Sequence, residues 1–159
     1  MTNDLIPAPS RIPWPPLIYL TAAAAAIGLK QLVPEISWNA RRSVALLGWA
    51  ILLGAIGLDI MAMRTMARQR ANILPHRPAT ALVTTGPFAW SRNPIYLGNT
   101  LAMAGAALAF SNPWFLMTGL VAAIAVIRLA IKREEAHMAA SFGAAWEAYA
   151  QRTGRWFGR

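Results

Sequence analysis

Four apolar runs, each close to the length that crosses a bilayer, constrain this chain more than any other feature. They cover residues 16–33, 44–63, 95–110 and 114–131. A helix that spans a hydrocarbon core of about 30 Å needs roughly 20 mostly apolar residues, and it satisfies its own backbone polar groups there. No alternation of apolar and polar residues competes with helix in these runs. Hydrophobic residues make up 57% of the 159 and charged residues only 13%, which excludes an ordinary soluble domain. The expected fold is all-α: a polytopic membrane helical bundle of about four transmembrane helices, forming one domain over 1–159. The third run is short, so it is extended by part of 86–94 or sits where the bilayer thins.

Charge sets the expected orientation. The formal net charge is +9, from 15 Lys and Arg against 6 Asp and Glu. In four alternating helices, all of the basic residues except Lys30, Arg41 and Arg42 fall on one side. The positive-inside rule makes that side the cytoplasm, with both termini and the 64–94 loop facing it. The expected location is multi-pass in a bacterial inner membrane. Most of the charge is thereby assigned to topology, with interfacial lipid as a secondary partner and no nucleic acid. The N-terminal 1–15 read as a short, partly irregular, proline-rich segment without a clear signal-peptide cleavage site. Cysteine is absent and there are two histidines, so no thiol chemistry and no metal site are expected.

Between the second and third runs lies a connection too long for a simple hairpin. Arg64, Arg68 and Ala71 keep helical spacing with helix two before 72–78 breaks it. The segment 82–98, LVTTGPFAWSRNPIYLG, then sets turn formers, aromatics and one arginine between apolar blocks. Gly86-Pro87 and Asn93-Pro94 are turn signals, and Pro94 suits the first turn of helix three. After the fourth run, Met138, Phe142, Ala145, Trp146 and Tyr149 recur every three or four residues. That pattern predicts an amphipathic interfacial helix over 134–152, lying at the membrane surface or folded over the bundle mouth.

A few residues can carry chemistry. Glu134 and Glu135 stand where helix four leaves the membrane, where acids pair or face a wet cavity. Adjacent helical residues point about 100° apart, so one of the two faces any pocket while the other meets solvent or an arginine. Both pairing with Lys132, Arg133 or lipid amines is the plainer alternative. Arg92 can hold a carboxylate or phosphate bidentately, or it can simply snorkel. Asn93 and Tyr96 add polar atoms at a helix start whose first N–H groups are free. Gly98 permits close approach of a helix or of a flat ring. Asp59, within helix two, is either functional or paired with Arg64 or Arg128.

In order and spacing, residues 82–88, 92–98, Glu134-Glu135, Phe142-Gly143 and 146–149 resemble the isoprenylcysteine carboxyl methyltransferase family and the related phosphatidylethanolamine N-methyltransferases. The resemblance runs over about 80–156. It implies a membrane enzyme that uses S-adenosyl-L-methionine, releases S-adenosyl-L-homocysteine and methylates a lipophilic acceptor entering from the bilayer. It assigns the cofactor to a loop over 72–94, with Thr80, Ala81, Leu82, Val83, Phe88, Asn93, Pro94, Ile95, Tyr96 and Gly98 around it. Glu134 holds its amino group with Glu135 beside it. Arg92 and Glu134 are the expected catalytic residues, and Arg128, Arg133 and Trp146 the expected substrate contacts. The chain departs from the family in having Asn93 where many members have histidine. Ala130 stands where eukaryotic members have a substrate-binding arginine. A sterol-reductase-type enzyme using a nicotinamide cofactor and a non-enzymatic membrane scaffold are the competing readings.

Overall fold

The bundle is held at both of its ends by polar bonds between helices distant in sequence. The computed structural model describes residues 14–34, 41–72 and 80–158. Among these every regular element is helical: α1 (Trp14–Leu32), α2 (Arg42–Arg68), a 3₁₀ turn (Gly86–Ala89), α3 (Pro94–Ala109) and α4 (Trp114–Val126). A π-helical segment (Ile127–Ile131) carries α4 without interruption into α5 (Lys132–Phe142), and α6 (Ala144–Arg152) follows. Most of the expected N-terminal segment, with Arg11, lies outside the described residues. So do most of the expected break over 72–78, with Arg77, and Arg159.

α1 to α4 run alternately up and down. The α1 hydroxyl of Tyr19 sits 2.6 Å from Thr100 Oγ1 on α3, near the start of that helix. At the opposite end, Lys30 Nζ donates to the Phe110 carbonyl at 3.1 Å, satisfying a group left open at the α3 C-terminus. Buried Asn112 fastens the α3–α4 turn: Oδ1 accepts the Trp114 N–H at 3.1 Å and Nδ2 donates to the Ala26 carbonyl of α1 at 3.1 Å. α2 packs along α3 with almost no side chain between them. A Cβ on Gly48 would stand 2.8 Å from the Gly105 carbonyl oxygen, and one on Gly105 would stand 2.7 Å from Leu52 N. Small residues at such contacts let two backbones meet closely, where lipid offers no hydrophobic drive to association. Large apolar side chains point outward instead, including Leu47, Leu53, Leu120 and Val121.

Among the described residues two helices, Arg42–Arg68 and the continuous Trp114–Phe142, are long and apolar enough to cross a membrane. α3 has only 16 residues and begins at Pro94; 86–93 forms the separate 3₁₀ turn and a short link. α2 ends at Arg68, and Arg70, with φ of 54°, turns the chain out of the helix before Ala71. The helix expected over 134–152 is two helices. Gly143 lies between them at φ 49°, ψ −126°, a conformation that side-chain-bearing residues avoid. The fourth helix does not stop at 131, because the π turn absorbs the register change there and the backbone ladder continues into α5.

Candidate functional site

At the end of the bundle where α3 begins, residues 80–93 form a strap that is bonded back to the end of α2. Thr80 Oγ1 donates to the Arg70 carbonyl at 2.9 Å and accepts the Asn72 N–H at 3.0 Å. Gln69 Nε2 donates to Thr85 Oγ1 at 2.5 Å. The 3₁₀ turn is then held from α6, where the Tyr149 hydroxyl donates to the Phe88 carbonyl at 2.7 Å. Burial pushes the Tyr149 phenol up to about 12, so it stays a neutral donor throughout the physiological range. Ser91, fully buried, accepts the Asn93 N–H at 3.2 Å and shapes the entry into α3.

These elements enclose a cavity of about 430 Å³, within the usual range for a small-molecule site. Its walls are mainly apolar: Ala81, Val83 and Phe88 from the strap, Pro94 and Ile95 from the start of α3, Met63 and Met66 from α2, Met138 from α5, and Pro15 and Pro16 from α1. The polar groups converge from three directions: Arg92, Asn93, Tyr96 and Asn99 around the start of α3, Glu134, Glu135 and His137 on α5, and Tyr149 on α6.

The two adjacent glutamates are treated differently. The Tyr96 hydroxyl donates to Glu134 Oε1 at 2.5 Å, which leaves the other oxygen of that carboxylate for a further donor. Glu135 Oε1 accepts Arg155 Nε at 3.0 Å and Oε2 accepts Arg155 Nη2 at 2.5 Å, a two-pronged guanidinium–carboxylate pair. That bond holds the Arg155 guanidinium above its ordinary pKa. Arg92 Nη1 approaches the same Oε1 at 3.3 Å. The Arg92 guanidinium also lies 5.6 Å from the centre of the Trp146 ring, within cation–π range. Its Nε is buried with no hydrogen-bond partner among the described residues, and a buried guanidinium donor left open is costly unless a ligand meets it.

Of the positions singled out in the sequence, Ala81, Val83, Phe88, Arg92, Asn93, Pro94, Ile95, Tyr96, Glu134, Glu135 and Trp146 all border this cavity. Thr80, Leu82, Gly98, Arg128 and Arg133 do not. Thr80 spends its hydroxyl on the strap, and Gly98 packs against Asp59 of α2. Arg128 and Arg133 are exposed. Asp59 has a buried Oδ1 without a hydrogen-bond partner, and it pairs with neither Arg64 nor Arg128. Sequence reasoning missed Met63 and Met66, which look like any helix-two residues, and Arg155, whose count among the basic residues gave it only a topological meaning. Asn93, which borders the cavity, also reaches the C-terminal tail, its Nδ2 donating to the Arg155 carbonyl at 3.0 Å.

A comparison with curated proteins finds no match. The sequence profile of the phospholipid methyltransferase family matches residues 44–145, a stretch that takes in α2, the strap, α3, α4 and the tandem glutamates. Covering more than half of the chain and most of the residues that border the cavity, this match establishes that the protein belongs to the phospholipid methyltransferase family.

Proposed function

We propose that the chain is an integral membrane methyltransferase that uses S-adenosyl-L-methionine to methylate a lipophilic acceptor. One observation carries the reading. A carboxylate, Glu134, and a guanidinium with an unmet buried donor, Arg92, border the same largely apolar cavity. The methionine end of the cofactor presents one ammonium and one carboxylate, and the two side chains are of the complementary charges. Phe88, Ile95 and Val83 suit a flat adenine ring. When bound, the cofactor supplies an electrophilic methyl on a sulfonium.

The chain's own groups then act by position. Tyr96 orients Glu134, and Trp146 with Glu135 orients Arg92, so both charges are fixed before ligand arrives. Holding two reactants in line is worth roughly 7 to 11 kcal/mol of barrier in favourable cases, without any proton transfer. Apolar walls exclude water from the reacting atoms. The acceptor reaches the cavity from the bilayer on the side of Met63, Met66, Pro15 and Pro16, in a four-span bundle whose α5–α6 end faces the cytoplasm. An isoprenylcysteine carboxylate is the acceptor suggested by the resemblance of 82–98, whereas the family match favours a phospholipid amine. Arg128 and Arg133 lie outside the cavity wall and take no part in holding either.

Calorimetry of the detergent-purified protein tests the reading. S-adenosyl-L-methionine and S-adenosyl-L-homocysteine bind and NADPH does not; binding of NADPH alone would favour the reductase-type alternative, and binding of none the scaffold. Methyl transfer to isoprenylcysteine analogues and to phosphatidylethanolamine, compared in one assay, identifies the acceptor.

A further inference from the structure

The C-terminal tail after α6 is stitched to the segment that carries Arg92. Gly154 accepts the Arg92 backbone N–H at 2.9 Å, and Thr153 Oγ1 donates to the Ala89 carbonyl at 3.4 Å. The Arg155 carbonyl accepts Asn93 Nδ2 at 3.0 Å. The Trp90 and Phe157 rings stack with centroids 6.3 Å apart. These contacts join 89–93 to 153–157, bringing together two segments that are more than sixty residues apart in the sequence.

That seam delivers the Arg155 side chain to Glu135, where it competes with Arg92 for one carboxylate. Both Glu135 oxygens are engaged by Arg155, and Arg92 reaches Oε1 through a single nitrogen at 3.3 Å. A guanidinium and a carboxylate left alone in a half-buried site would close into a two-pronged pair. Arg155 blocks that collapse by occupying the fork itself. Arg92 is therefore left with a weak, one-point tether to Glu135, its face on Trp146 and its buried Nε unspent.

We infer that Arg155 is a positioning residue that keeps Arg92 available for an anionic ligand group by occupying both oxygens of Glu135, so that Arg92 meets that carboxylate at one point only, and that Asn93 anchors Arg155 for this purpose. The inference rests on the proposed S-adenosyl-L-methionine site and adds a residue outside the cavity wall to it. The side chain of Asn93 works on the tail and not on the ligand. The carboxylate of the methionine moiety is the anion that Arg92 meets.

The test compares S-adenosyl-L-homocysteine, which carries the amino-acid carboxylate, with 5′-methylthioadenosine, which lacks the amino-acid end. Calorimetry is done on detergent-purified full-length protein. R155Q weakens S-adenosyl-L-homocysteine about tenfold, the effect of degrading one charge-assisted hydrogen bond, and leaves 5′-methylthioadenosine unchanged. The double variant E135Q/R155Q regains most of the lost affinity, because no carboxylate remains to capture Arg92. Recovery in the double variant is the readout that a purely structural role for Arg155 would not produce.

Equal weakening of both ligands by R155Q, or a double variant worse than R155Q, would overturn the inference. So would an R155Q protein indistinguishable from wild type while wild type binds S-adenosyl-L-homocysteine. Wild-type protein that binds neither ligand overturns the cofactor reading itself, and this inference with it. Should R155Q fail to fold, R155K answers the same question: it keeps the charge but has no fork to occupy both Glu135 oxygens, so it shows the same ligand-selective loss. An R155K protein that binds both ligands like wild type would count against the fork.

Discussion

Where Gly48 of α2 crosses Gly105 of α3, the two backbones come together with no side chain between them. At the start of α3, the joint between 89–93, α5 and the C-terminal tail consists almost wholly of hydrogen bonds and ion pairs. The first joint resists any added volume. The second resists loss of any single donor or acceptor. The difference arises from the surroundings: within lipid the closest apolar fit decides helix pairing, whereas at the mouth of the bundle charged groups are tolerated because they are partnered. The positioning proposed for Arg92 and Glu134 belongs to the second kind of joint, since directional bonds fix orientation and close packing alone does not.

Four substitutions separate these two regimes, from the largest expected effect to the smallest. G105L drives a side chain into the α2 backbone and should destabilise the fold by about 3 kcal/mol or more, read as a lower midpoint of thermal unfolding in detergent. Ligand affinity per folded molecule should stay unchanged. E134A should leave that midpoint near wild type yet weaken S-adenosyl-L-homocysteine about a hundredfold, since truncating one partner of a buried charge pair typically costs about 2 to 5 kcal/mol. A matching fall in stability would mean that Glu134 serves the fold. Y96F removes the donor to Glu134 Oε1 and should weaken the same ligand about fivefold, near the net worth of one hydrogen bond, as measured by calorimetry. R133A, on an exposed side chain outside the cavity wall, should shift stability by less than about 0.5 kcal/mol and leave affinity alone. A large loss of affinity there would restore the substrate role that its sequence position suggests.

Much of the site is legible in the sequence because its residues cluster in two short stretches. Arg92 to Tyr96 and the Glu134-Glu135 pair each stand out as polar groups beside apolar runs, and both stretches border the cavity. The placement of Arg128 and Arg133 outside the cavity wall is not legible, because residue type and proximity in sequence say nothing about helix phase. Arg128 lies within the π-helical Ile127–Ile131 segment and Arg133 just beyond it, and both side chains are exposed. The continuous 134–152 helix is suggested by an unbroken three- and four-residue spacing. That spacing survives across Gly143 because the face of α6 that carries Trp146 and Tyr149 is buried again after the break.

The sequence by itself determined the membrane class, the helical runs and the two stretches that meet at the site, because hydrophobic length and local turn chemistry are properties of neighbouring residues. Only the tertiary structure decided which glutamate faces the cavity with an oxygen to spare, and that Arg155 and Asn93 stand behind Arg92. Those choices depend on a helix phase reset by the π segment and on a tail folded back at Gly143 across more than sixty residues. Competition between two guanidiniums for one carboxylate exists only once the chain has brought all three together.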